Sequence, residues 1–122
     1  MYKKLVFAVF VLLFTVSVQA VVSEHSTKIF AVTNDGKGLA AELKLRIEPG
    51  TGQIFSGVDA LVGTSTQNAF KVAVDLAKNY SQDVEKYNYY FEIKSDASIV
   101  DGPSAGAATT LLVITMLQDK KV

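Results

Sequence analysis

The chain has 122 residues, about half of them apolar, with twelve basic and twelve acidic side chains, one histidine and no cysteine. That length fits one domain. The charge balance leaves no electrostatic footprint for nucleic acid, the lack of cysteine removes disulfides, thiol catalysis and thiolate metal sites, and a lone histidine rules out a His-rich metal site.

Met1-Tyr2-Lys3-Lys4 is a short basic start, and Leu5 to Val18 is apolar except for Thr15 and Ser17. Val18-Gln19-Ala20 then places small residues at both positions that signal peptidase reads. This is the layout of a secretory signal, and the apolar run falls short of the roughly 20 residues of a typical membrane-spanning helix. Residues 1–20 are therefore expected to be a signal peptide or N-terminal anchor. The chain is expected to be exported or extracytoplasmic, with membrane contact only through 1–20 if they stay uncleaved. Cleavage removes Lys3 and Lys4, leaving ten basic against twelve acidic side chains. A secreted domain of this size without disulfides must rely on its core.

Residues 21–33 read as a leader and first strand: 21–26 mobile, Lys28 to Thr33 extended. His25 falls in the leader and reads as a solvated side chain near a terminus. Asn34-Asp35-Gly36-Lys37-Gly38 is a strong hairpin turn, because Asp-Gly and Gly accept positive φ. In the next segment Leu43, Leu45 and Ile47 alternate with Glu42, Lys44, Arg46 and Glu48, the period of a half-buried strand over Leu39 to Ile47. Pro49-Gly50-Thr51-Gly52 ends it, and Gln53 to Ser56 reads as a short strand. Thr64 to Tyr80 reads as a helix, with Phe70, Ala73, Val74 and Ala77 at helical spacing, Thr64 or Ser65 as its cap and Asn79 near its end. Tyr87 to Lys94 is an aromatic-rich strand with Tyr87, Tyr89, Phe91 and Ile93 on one face. Ser95 to Gly102 is a loop of small and polar residues. Ala105 to Gln118 is a helix apolar on nearly all sides, which needs cover on both faces. The order predicts an α+β fold with helices on one side of a mixed or antiparallel sheet.

The loop meets the last helix at Asp101-Gly102-Pro103-Ser104-Ala105-Gly106. A hydroxyl at a helix start lies beside unpaired N–H groups and the positive end of the dipole, and such N–H groups stabilise an oxyanion. Pro103 fixes φ ahead of Ser104, and Gly102 permits a tight turn. The plain alternative is that Ser104 is only a helix cap. A nucleophilic serine also needs a base. His25 is remote in sequence. Lys120 and Lys121 follow on the same helix, roughly 24 Å away at 1.5 Å per residue. Lys44, Lys71, Lys78 and Lys86 fall on polar faces as solvated lysines, and Lys94 has no assigned place.

Val100-Asp101-Gly102-Pro103-Ser104-Ala105-Gly106 resembles the nucleophile motif of the Lon protease family. Gly50-Thr51-Gly52-Gln53-Ile54, the Gly57 turn, the helix around Ser65 and Ala69, and the run from Tyr90-Phe91-Glu92-Ile93 to Val100 resemble its proteolytic domain as well. The resemblance spans about Asn34 to Met116. It implies a Lon-like α+β proteolytic domain, similar to the second domain of a ribosomal small-subunit protein, over residues 34–122. It implies Ser104 as the nucleophile of a Ser–Lys dyad, Asp101 shaping or polarising the site, a peptide or unfolded protein as substrate, and assembly into a homo-oligomeric ring. In that family the dyad lysine follows further strands beyond the serine-bearing helix. The expectation is that this chain carries only the first part of the domain, without its lysine, and is inactive alone.

No Gly-Lys-Ser/Thr follows the glycines at 50–65, so there is no P-loop, and no cofactor is expected. The functional expectation is an exported serine endopeptidase of Lon type without an ATPase module. The alternative is a non-catalytic binding or assembly module on the same scaffold, or a chain completed by strands from another polypeptide. Asn79-Tyr80-Ser81 matches the N-glycosylation sequon. Tyr87, Tyr89, Tyr90 and Phe91 read as sheet core with one exposed tyrosine rather than a stacking platform.

Overall fold

The alternation in Gly38–Pro49 (β2) organises the molecule. Ala41, Leu43, Leu45 and Ile47 are buried on one face, while Glu42, Lys44, Arg46 and Glu48 point to the other. The computed structural model describes residues 2–4, 23–33, 35–57 and 59–119. The signal or anchor expected at 1–20 lies almost wholly outside them. Among the described residues no helix is long and apolar enough to cross a membrane.

Strand Ser23–Val32 (β1) pairs antiparallel with β2 along its whole length. Tyr87–Lys94 (β5) pairs antiparallel with the other edge of β2, and Ile54–Ser56 (β3) lies parallel to β5. The sheet order is β1-β2-β5-β3. Two helices, Thr64–Ala77 (α1) and Gly106–Asp119 (α2), pack against each other on one side of it, so the fold is α+β. Tyr89, Phe91 and Ile93 continue the apolar face of β2, and Phe70 of α1 stacks on Phe91 with ring centroids 4.3 Å apart. α2 lies over β1 and β2 and buries Leu112, Val113, Met116 and Leu117. The Tyr89 hydroxyl donates to the Val84 carbonyl at 2.7 Å, and burial pushes its pKa up.

The opposite face of the sheet is a solvated charge ladder. Lys44 pairs with Glu24 at 2.7 Å, Arg46 pairs with Glu48, and the Arg46 guanidinium sits 4.4 Å from the Tyr90 ring centre. Tyr90 in turn stacks on Phe55.

The hairpin forms where expected. Thr33 and Lys37 bond through their backbones, the Thr33 hydroxyl donates to the Asp35 carboxylate, and Gly36 takes φ 82°. Four expectations are corrected. The segment read as a mobile leader is strand from Ser23 onward, because β2 extends far enough to supply hydrogen-bond partners up to Ile47. His25 accordingly lies inside β1, opposite Leu45, where its side chain is exposed as expected. The helix ends at Ala77, and its N-cap is Gly63 rather than Thr64 or Ser65. The stretch read as a loop from Ser95 contains Ile99–Val100 (β6), which pairs parallel with Leu61–Val62 (β4) in a separate two-stranded sheet.

Candidate active site

The β4–β6 pair builds the platform under Ser104. Leu61 N–H donates to the Ser98 carbonyl at 2.9 Å, and Gly63 N–H donates to the Val100 carbonyl at 3.0 Å. These bonds bring the end of β6 alongside the start of α1. A helix start leaves backbone N–H groups without acceptors, and α1 has no side-chain cap of its own. The Asp101 carboxylate fills the gap from 35 residues away. One oxygen accepts from Thr66 N–H at 3.1 Å and from Gly102 N–H at 3.0 Å. Buried Thr66 returns the link, its hydroxyl donating to the Gly102 carbonyl at 3.1 Å.

Two glycines make this seat possible. A methyl group on Gly63 would overlap the Asp101 carboxyl group, so residue 63 has to be bare. Gly102 has φ 139° and ψ 155°, a conformation essentially reserved for glycine. From there Pro103–Ala105 forms a single tight turn that runs into α2. At Gly106, by contrast, an added side-chain carbon would stand 3.9 Å from the Ala69 methyl group, an ordinary packing distance, so the α1–α2 contact does not demand glycine there.

Ser104 is exposed on that turn, and among the described residues its hydroxyl makes no hydrogen bond. Its Oγ lies 4.0 Å from where a Cβ on Gly102 would sit, over the strained turn. The arrangement presents a free hydroxyl at the mouth of a helix on a loop clamped from below. Asp101 is spent on two backbone N–H groups, which makes it a brace for the turn.

No described lysine bonds to Ser104. Lys44, Lys78 and Lys86 are tied to Glu24, Asp75 and Asp83 respectively. The hydrogen bond that each amine donates to its carboxylate raises that lysine's pKa. A lysine that serves as a base needs the opposite shift. Lys71 and Lys94 are exposed, and Lys120 and Lys121 lie outside the described residues. His25 in β1 makes no bond to Ser104 either. Among the described residues no cluster of His, Asp or Glu is placed to hold a metal ion.

Beside the turn runs an apolar groove of about 580 Å³ between the two helices, lined by Pro103, Ala107 and Leu111 on one wall and Ala69, Val72 and Leu76 on the other. The sequence pattern did not single out Gly63, Thr66 or the β4–β6 pair. Gly63-Thr64-Ser65-Thr66 looks like a self-capping helix start, and nothing local shows that the cap comes from Asp101.

No family model matches the chain, and no curated protein matches it. Among solved structures, the crystal structure of ttk003000868 from Thermus thermophilus is similar at 14% sequence identity with a TM-score of 0.43. The likeness covers 74% of this chain and 14% of that one, so the chain spans a small part of that protein's length.

Proposed function

We propose that the chain is the serine-bearing part of an exported, ATP-independent Lon-type endopeptidase, with Ser104 as its nucleophile. The observation that carries this is the seat itself: an exposed, unpartnered hydroxyl on a glycine-strained turn that is braced by Asp101 to a second helix. A cap serine would spend its hydroxyl on the backbone of its own helix, and Ser104 does not. In the proposed chemistry, Ser104 Oγ attacks a peptide carbonyl and loses its proton to a lysine supplied from outside the described residues. Backbone N–H groups at the helix start face the oxyanion.

The test is labelling of the protein isolated from its own host with a serine-directed fluorophosphonate. The expected result is a single adduct on Ser104, absent in Ser104→Ala. Equal labelling of both proteins would overturn the assignment.

A second reading has its own support. The carboxylate partners of Lys44, Lys78 and Lys86 hold those amines charged, so none of these three is an activated base. A binding or assembly module that keeps the scaffold without the chemistry fits that observation. It predicts no adduct at all, with the fold intact by circular dichroism.

A further inference from the structure

The chain contains four asparagines, and Asn79-Tyr80-Ser81 is the one position where a sequon occurs. The structure places it on the turn that follows α1. Asn79 N–H donates to the Leu76 carbonyl at 3.1 Å, which fixes the backbone, while the side chain is exposed and makes no hydrogen bond among the described residues. Asn88 shows the contrast. Its amide oxygen accepts from Thr51 and Gln53 N–H groups and is committed to the fold. Tyr80, the middle residue of the sequon, is 60% exposed beside Asn79.

We propose that Asn79 is an acceptor for N-linked glycosylation. The inference rests on the reading of the chain as exported, since only a translocated segment meets the transferase. The donor is an oligosaccharide on a polyprenyl phosphate carrier. The Asn79 amide nitrogen bonds to the anomeric carbon, the bond from that carbon to the phosphate oxygen breaks, the carrier phosphate leaves with the electron pair, and the amide gives up one proton. Nothing is oxidised or reduced.

The same turn sets the timing. Ser81 is only 5% exposed, and its hydroxyl accepts from Asp83 N–H at 3.3 Å. The transferase reads that hydroxyl, so transfer precedes closure of the turn. Once the turn closes, the glycan leaves the protein at the exposed end of α1 and displaces no contact. Asn79 follows Ala77, the last residue of α1, which stands roughly 18 Å along the helix from Ser65 at 1.5 Å per residue, so a sugar there leaves from the end of α1 away from the Ser104 turn.

The test is secretion of the full chain, residues 1–122, from yeast, followed by intact mass before and after peptide-N-glycosidase and by sequencing of the N-terminus. The expected product starts at Val21 and carries one glycan, removed by the enzyme. The glycan should be lost in Asn79→Gln and Ser81→Ala and kept in Ser81→Thr, which restores the sequon where the alanine variant fails to fold. A product starting at Val21 with bare Asn79 overturns the proposal alone. A product that keeps Met1 inside the cell overturns the proposal together with the export reading. A glycan that survives in Asn79→Gln overturns the assignment to this residue.

Discussion

Gly63 and Asp101 constrain each other, and the pair decides how the Ser104 turn is held. Gly63→Ala forces the new methyl group against the Asp101 carboxyl group. The expected cost is about 1–3 kcal/mol of unfolding free energy, the range for overpacking a tight site, read from urea denaturation. Asp101→Ala removes the acceptor for Thr66 and Gly102, and losing such a cap costs about 0.5–2 kcal/mol. Asp101→Asn keeps a carbonyl oxygen in place and should lose less. Equal losses in the two variants would show that the acceptor geometry is not what matters. The hairpin offers a pH readout. The Thr33 hydroxyl, and then Lys37, hold the Asp35 carboxyl below its ordinary 3.8. A lowered carboxyl pKa adds stability that is present above the unfolded value and is lost as pH falls through the folded one. Carbon-detected titration should place the Asp35 midpoint under 3.8 and return it toward that value in Thr33→Ala. Asp101 and Ser104 were visible in the sequence as a motif. The residues that Asp101 meets, Gly63 and Thr66, were not, because a bond spanning 35 residues leaves no local signature.

The elements divide by length in how far the sequence revealed them. β2 and β5 carry a period of two over 12 and 8 residues, enough for the buried face to be read directly. β4 and β6 have two residues each, too few for any period, and they are the pair that positions the site. The polar start of β1 has no strand pattern either, and its extended form comes from the ladder that β2 offers. Apolar surface on α2 tests the packing. Leu112, Val113 and Met116 are buried, whereas Leu111 is 67% exposed on the groove between the helices, with Val72 and Leu76 opposite. Leu111→Lys should therefore change stability by no more than about 0.5 kcal/mol, the usual scale for a surface substitution, while weakening binding of an apolar dye such as ANS. Phe91 lies at the centre of the stacked pair with Phe70. Phe91→Ala should cost about 3–5 kcal/mol as a large core truncation. A comparable loss in both variants would mean that Leu111 is covered in solution.

At the scale of the molecule, the α+β architecture followed from one-sided apolar stripes that have to share a core, which is why it was readable from the residue pattern alone. The same one-sidedness makes a prediction about cooperativity. Both helices and strands β1, β2 and β5 enclose a continuous cluster running from Leu43 and Ile47 through Phe91 to Phe70, Val113 and Met116. The expected outcome is that this cluster lets a fragment of residues 21–122 fold without residues 1–20. Amide exchange on that fragment should show its slowest groups in β2 and β5, which have neighbours on both edges. In β1, only the amides facing β2 should be slow, because its other edge is unpaired among the described residues. Protection should extend back through Glu24 and Ser26, whose partners are Arg46 and Lys44. Free exchange at 23–26 with protection from Lys28 onward would instead restore a frayed leader and detach Glu24 from its pairing with Lys44. Exchange that is fast throughout would show that the cluster alone does not hold the domain. The Ser104 turn would then owe its shape to contacts beyond the described residues, and the brace from Asp101 would be a consequence of folding rather than a support for it.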